Sequence, residues 1–407
     1  MSASMTAAAP GLRGRVENAA RWLCVAAAFS VPLPAAWISI TTALFLLFWI
    51  ASADYVARLR IIAGQPIAAL SLTLFVWMGI SVAWSPAPLR PSADDWWHYR
   101  ELLLIPLMLS VITQAEWRWR VFAGFFAGFC VALLTSYLRW FKVIPDMGGV
   151  GLYAGFGGHT GFSILLAFIV CACLWLWQAR PAQRALWATV GALSLFNLFF
   201  VNTGRTGQFV FLFLVPVIAH KRFGFKGIAI GAVAAALLSV GVYYASNTVR
   251  TRIDTSVSDV QQFRGGNTGT NDGVRMEFWR NSLTLIKQHP VFGGGTGSFR
   301  PEYRALAESQ KLDGIHITPN PHNEYLLVWS QTGLVGLALL LALWGVQWRR
   351  AATLDPTVRY LSYALLVTMI VGDCFNSFIL DNLEGHFYAL LTVALAAGWP
   401  EAQGRSE

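Results

Sequence analysis

The sequence predicts an all-α polytopic membrane protein. Three observations carry that prediction: the composition, the recurrence of long apolar runs, and the alternation of positive charge between the connections that join them. Of the 407 residues 56% are hydrophobic and only 13% charged, where soluble domains carry roughly 25% charged residues. A formal charge of +9 would point a soluble protein toward nucleic acid. In a membrane protein it is expected as loop charge that sets topology, so membrane lipids are expected partners and nucleic acid is not. The five cysteines, Cys24, Cys130, Cys171, Cys173 and Cys374, sit in or beside apolar runs, with no CxxC or zinc spacing. They read as small apolar fillers.

Taken in order, runs long enough, alone or with tilt, to cross a hydrocarbon core of about 30 Å fall at 20–33, 35–51, 66–84, 101–114, 119–141, 158–178, 185–202, 206–220, 225–246, 322–348, 358–379 and 384–400. That makes about 12 transmembrane helices. Arg13, Arg15 and Arg21 before the first run resemble the start of a signal peptide. Pro32 and Pro34 look like a break between two helices and many spans follow, so an uncleaved first span is expected. With the N-terminus cytoplasmic, inner connections hold Arg58 and Arg60, Arg118 and Arg120, Arg180 and Arg184, Lys221, Arg222 and Lys226, then Arg349, Arg350 and Arg359. That satisfies the positive-inside rule and leaves both termini cytoplasmic. The chain then divides into an N-terminal bundle of about nine spans (1–246), an outer loop domain (247–321) and C-terminal helices with a short tail (322–407).

Two outward features stand out. VNTGRT, Val201 to Thr206, is a tight turn carrying Arg205. The segment 247–321 is the one large extramembrane loop, and it holds Arg250, Arg252, Arg264, Arg275, Arg280, Lys287, Arg300, Arg304 and Lys311. So much positive charge on the side that topology disfavours calls for an anionic ligand. Within it, GVRMEFWRNSLTLIKQH places Met276, Trp279, Leu283 and Ile286 at helical spacing, the pattern of an amphipathic interfacial helix stopped by Pro290 and the turn FGGGTGSF. Those glycines lack the Lys-Ser/Thr of a phosphate loop. A second short helix is expected from Phe299 to Gln310, and the stretch from SDVQQF to TGTND reads as loop.

The run that opens PNPHNEYLL raises the question of chemistry. Asn320 as N-cap and Pro321 at the first helical position would put His322 in the first turn, where the helix dipole disfavours imidazolium. A neutral imidazole can take a proton as a general base; alternatively His322 and Asn323 merely satisfy free N–H groups. Arg205 either snorkels to water or binds lipid phosphate. Arg275 either contacts an anion or pairs with Asp272 or Glu277, and Arg280 could serve in its place. Asp373, in VGDCFNSF, either orients His322, pairs with an arginine or forms a structural salt bridge. Arg139 and Lys142 are generic anchors or secondary phosphate contacts. No metal motif, Ser-x-x-Lys or GxSxG is present, so no cofactor is expected. One base and several fixed cations at an outer rim suit the transfer of a sugar from a lipid-linked diphosphate, with arginines stabilising the departing phosphate.

Three stretches together resemble the O-antigen ligase family, within the O-antigen ligase and polymerase superfamily of bacterial inner membranes: VNTGRTGQF, VRMEFWRNSLTLIKQHPVFGGGTGSF and PHNEYLLVWSQTGLVG. They lie within the half of the chain from Val201 onward. Where the family pattern has Ser-x-Ser-Arg, this chain reads Asn-Thr-Gly-Arg. The resemblance implies a metal- and nucleotide-independent, inverting glycosyltransferase that moves O-antigen from undecaprenyl diphosphate to lipid A–core at the periplasmic face. It implies Arg205 and Arg275 as diphosphate ligands and His322 as the activator of the acceptor hydroxyl, with Asp373 a secondary member. The neighbouring readings are an O-antigen polymerase or protein O-oligosaccharyltransferase of the same superfamily. A secondary transporter of an anionic substrate would call for paired broken helices and repeat symmetry, and no repeat is visible.

Overall fold

In a computed structural model the described residues are 11–52, 54–146, 153–264, 269–309 and 317–400, and they contain helices and no strand. In chain order the helices are α1 (Leu12–Ser30), α2 (Ala35–Ala51), α3 (Tyr55–Ala63), α4 (Pro66–Ser81), α5 (Leu89–Trp97), α6 (Glu101–Leu109), α7 (Ala115–Trp140), α8 (His159–Ala179), α9 (Arg184–Phe196), α10 (Arg205–Phe223), α11 (Phe225–Ala245), α12 (Asn247–Arg264), α13 (Asn271–Gln288), α14 (Phe299–Ser309), α15 (Glu324–Ala351), α16 (Pro356–Gly372) and α17 (Asn382–Leu395). The described residues thus form an all-helical bundle. Six helical segments among the described residues are long and apolar enough to cross a membrane, or seven if α2 and α3 form one bent span.

The other predicted runs are helical too but shorter or more polar. Helix α6 has nine residues, about 14 Å at 1.5 Å per residue, and α17 has fourteen. Neither reaches across a core of about 30 Å by itself. Pro106 inside α6 leaves the Leu102 carbonyl without its helical donor, and the Ser71 hydroxyl supplies one at 2.5 Å. Helix α17 is wrapped by its neighbours, with Phe387 through Leu391 fully buried. Helix α11 is the opposite case. It buries only Gly227, Gly231 and Ala235, spaced by four, against α10, while Ile228, Val233, Leu237 and Tyr244 face outward. A Cβ on Gly231 would sit 2.4 Å from Pro216 Cα, so the small-residue stripe is what lets the two backbones approach.

The loop segment departs from expectation in three places. SDVQQF lies in α12 rather than in loop, since nothing from Asn247 to Arg264 is Gly or Pro. Helix α13 begins at Asn271, where the Thr270 hydroxyl caps the Gly273 amide at 3.2 Å. Its packed face is Phe278, Ser282, Leu285 and Ile286, seated against α14 and α15, while Leu283 is exposed. Helix α14 matches its predicted start at Phe299; Gln310 and Lys311 lie outside the described residues.

The glycine turn after α13 repairs a break in α15. Gly333 has φ +70°, which interrupts that helix. The Ser330 and Gln331 carbonyls accept from the Gly294 and Gly295 amides at 2.9 and 2.8 Å. The Thr332 carbonyl accepts from Trp77 Nε1 at 3.1 Å, and the Leu334 amide donates to the Pro290 carbonyl at 3.0 Å. Broken backbone inside a bundle is tolerated only where protein groups replace the lost bonds.

Candidate active site

His322 is held just outside α15. The N-cap is Asn323, whose Oδ1 accepts from the Leu326 amide at 3.0 Å, so the expected cap at Asn320 and helical start at Pro321 are corrected by three residues. Pro321 and His322 thereby precede the helix, and His322 takes φ +54°, a left-handed backbone that costs a non-glycine residue about 1–2 kcal/mol. Asn320 holds that conformation. Its Oδ1 accepts from the His322 amide at 2.7 Å and from the Ser377 hydroxyl at 2.8 Å.

The imidazole is fixed on two sides. Phe278 packs on it with ring centroids 6.2 Å apart, and Nδ1 lies 3.0 Å from Asn376 Oδ1. Burial lowers its pKa from the ordinary histidine value, the Asn376 bond pulls the other way, and the Arg275 charge lowers it further. The neutral ring foreseen from helix-dipole reasoning is therefore favoured, with desolvation as its first cause.

Arg205 opens α10 rather than tipping a free turn. The Asn202 side chain accepts from the Gly204 amide at 2.6 Å, and the Gly207 amide donates to Ser163 Oγ of α8 at 2.9 Å, so the helix start is anchored. The guanidinium makes a two-pronged pair with Asp272, 3.0 and 3.2 Å, and donates to the Ser256 hydroxyl. Burial alone would raise the Asp272 carboxyl; Ser256, Arg205 and the Arg275 charge outweigh it and hold it below the usual range.

Asp272 is thus taken by Arg205. Arg275, half-buried on the next turn of α13, forms no ion pair among the described residues. It reaches the Phe375 carbonyl at 3.4 Å. Burial and then the like charge of Arg205 lower its pKa, with Asp272 opposing. Arg205, Asp272, Arg275 and His322 therefore form an electrostatically connected row. Arg280 is exposed, and its charge is felt at Tyr303. Arg139 is buried and donates to the Ala154 and Gly155 carbonyls, while Lys142 is exposed.

Among the described residues Asp373 forms no ion pair and no hydrogen bond to His322. Fully buried, it accepts from the Phe378 amide at 2.9 Å, and its carbonyl accepts from the Glu324 amide at 2.9 Å. Its work is to shape the loop 373–381, whose other residues organise the site. The Cys374 carbonyl holds Asn323, Phe375 holds Arg275, Asn376 holds His322 and Ser377 holds Asn320. The contributions of Asn320, Asn376, Ser377 and Asp381 were missed in sequence. The only signal was the density of Asp, Asn and Ser at the outer end of an apolar run.

Residues 191–341 match the family model described as O-antigen ligase. Over that stretch the chain is similar to the O-antigen ligase family. The matched stretch contains Arg205, Arg275 and His322, and it ends inside α15. An uncharacterized protein of Haemophilus influenzae is 26% identical over 253 residues, 60% of this chain and 62% of the relative. An O-antigen ligase of Salmonella typhimurium is 26% identical over 282 residues, 66% of each chain. The chain spans less than two thirds of the length of each of these relatives.

Proposed function

We propose that this protein is an O-antigen ligase that transfers O-antigen glycan from undecaprenyl diphosphate to a sugar hydroxyl of lipid A–core, at the periplasmic face of the bacterial inner membrane. The observation that carries the proposal is the electrostatic linkage of two guanidinium groups, at the start of α10 and in α13, with one neutral imidazole in the turn before α15. The reaction needs two things of it. As the new C–O bond forms, the bond from the anomeric carbon to the diphosphate oxygen breaks, and its electron pair stays on the diphosphate. Arg205 and Arg275 face that developing charge, and a guanidinium can bind it through two N–H groups at once. The acceptor hydroxyl gives its proton to His322 Nε2. Direct displacement on this plan inverts the anomeric centre. Orientation follows the positive-inside pattern, with both termini cytoplasmic and α13, α14 and the His322 turn outside.

The test is reconstitution. Purified protein, undecaprenyl diphosphate-linked glycan and lipid A–core, without ATP and with chelator present, are expected to yield glycan-extended lipid A–core on a gel, with release of undecaprenyl diphosphate. Extension of the donor glycan itself, with lipid A–core unchanged, would identify a polymerase and overturn the ligase assignment.

A further inference from the structure

We infer that Asn376 and Asp381 are positioning residues that set the tautomer of His322, an inference that rests on the proposed transfer reaction. An imidazole can act as a base through Nε2 only if the mobile proton sits on Nδ1. The side-chain amide of Asn376 is clamped between two partners. Its Nδ2 lies 2.9 Å from Asp381 Oδ2 and its Oδ1 lies 3.0 Å from His322 Nδ1. An ionised carboxylate only accepts, so Asp381 requires the amide to turn its NH2 toward it. The amide oxygen is then presented to the ring, and because that oxygen also only accepts, Nδ1 must carry the hydrogen. The free electron pair is left on Nε2.

The geometry of Asp381 points the same way. It stands at the N-cap of α17, a position where aspartate ordinarily accepts from the helix's own first amides. Here it makes no such bond and turns its carboxylate to Asn376 instead. The backbone holds both residues in place, since the Asn376 amide donates to the Gly372 carbonyl and the Asp381 amide to the Ser377 carbonyl, each at 3.0 Å. Burial raises the Asp381 carboxyl to about 6, so at neutral pH it remains mostly the acceptor this arrangement needs. The titratable groups around the pair are Arg275, which acts on the ring, and Glu324, Asp373 and Glu384, whose carboxyl groups feel Asp381. When Nε2 takes the acceptor's proton, the same chain faces an imidazolium. The Asn376 dipole and the Asp381 charge behind it then favour the transition state.

Two measurements on the full chain test this. The first is steady-state glycan transfer by wild type, His322→Ala, Asn376→Ala, Asp381→Ala, Asp381→Asn and Asn376→Asp. Asn376→Ala and Asp381→Ala are expected to lose kcat about 10²-fold, in the range of a disabled general base, with donor KM within about twofold. Asp381→Asn, whose amide oxygen can accept the same bond, is expected to recover most of the rate. Asn376→Asp places a carboxyl against the ring and is expected to move the acidic limb of the kcat–pH profile to higher pH, which a purely structural role would not do. The second is nitrogen NMR of 15N-histidine-labelled wild-type protein above pH 7.5, with the His322 signal identified by its loss in His322→Ala. It is expected to show Nδ1 protonated and Nε2 bare. A proton on Nε2, or full kcat in both alanine variants while His322→Ala is inactive, would overturn the positioning role and leave the transfer reaction standing. Absence of any product from wild type would instead overturn the reaction, and the inference with it.

Discussion

Arg205 and Arg275 differ in what they have available for a ligand. Arg205 already holds a carboxylate through both prongs, whereas Arg275 touches only a carbonyl. A diphosphate entering the row must therefore displace or share Asp272, and it meets Arg275 without an ion-pair partner among the described residues. Lysine at 205 keeps the charge but loses the fork. Arg205→Lys is expected to lower kcat/KM for the donor at least tenfold, checked by initial rates; wild-type rates would remove Arg205 from phosphate recognition. The pH dependence has a definite sign. A base works when deprotonated, and His322 titrates below its ordinary value of 6.5 because it is buried and faces Arg275. Protonation at lower pH removes the base, so the midpoint of the activity limb attributable to His322 is expected to fall below pH 6.5. These three residues stand out in sequence because each breaks a pattern: a charge in a tight turn, a cation on the disfavoured side, an imidazole opening a span. The roles of Asp373 and Asn376 were not legible there. Both belong to one short polar loop, and only the fold shows which of its side chains turns to the ring and which to backbone amides.

At the scale of elements, the feature that sequence periodicity conceals is the splice between the glycine turn and α15. SQTGLVG reads as uninterrupted apolar helix, and FGGGTGSF reads as a mere stop after α13. Their joining depends on hydrogen bonds across some forty residues of chain, and no local pattern encodes it. A Cβ at Gly333 would stand 2.1 Å from the Val291 carbonyl oxygen, on a backbone with φ +70°. Gly333→Ala is therefore expected to destabilise by at least about 1–2 kcal/mol from backbone strain alone, and further through the clash. Gly345, in the same helix with open space around it, is the control: Gly345→Ala is expected to be neutral or slightly stabilising. Thermal unfolding in detergent compares the two, and equal midpoints would contradict the splice. The amphipathic helix α13 was legible in existence and extent. Its packed face was not, because Leu283 and Phe278 are equally apolar and only tertiary partners choose between them.

For the whole molecule, composition and charge sufficed for an all-helical membrane architecture. They did not suffice for the span count, since α6, α16 and α17 are apolar yet only nine, seventeen and fourteen residues long. Their apolarity serves burial among other helices as much as contact with lipid. Topology can be measured directly. Single cysteines at Arg280 and at Lys226, in a background lacking the five native cysteines, are expected to label with impermeant maleimide from opposite sides of the membrane. Labelling from the same side would refute the orientation proposed here. The central claim is that Arg205, Arg275 and His322 serve one substrate, and the most direct measurement is a structure of the protein with undecaprenyl diphosphate-linked glycan bound. Phosphate oxygens are expected about 3 Å from both guanidinium groups, with the anomeric carbon turned toward His322 Nε2. A diphosphate bound elsewhere, or one touching neither arginine, would contradict it.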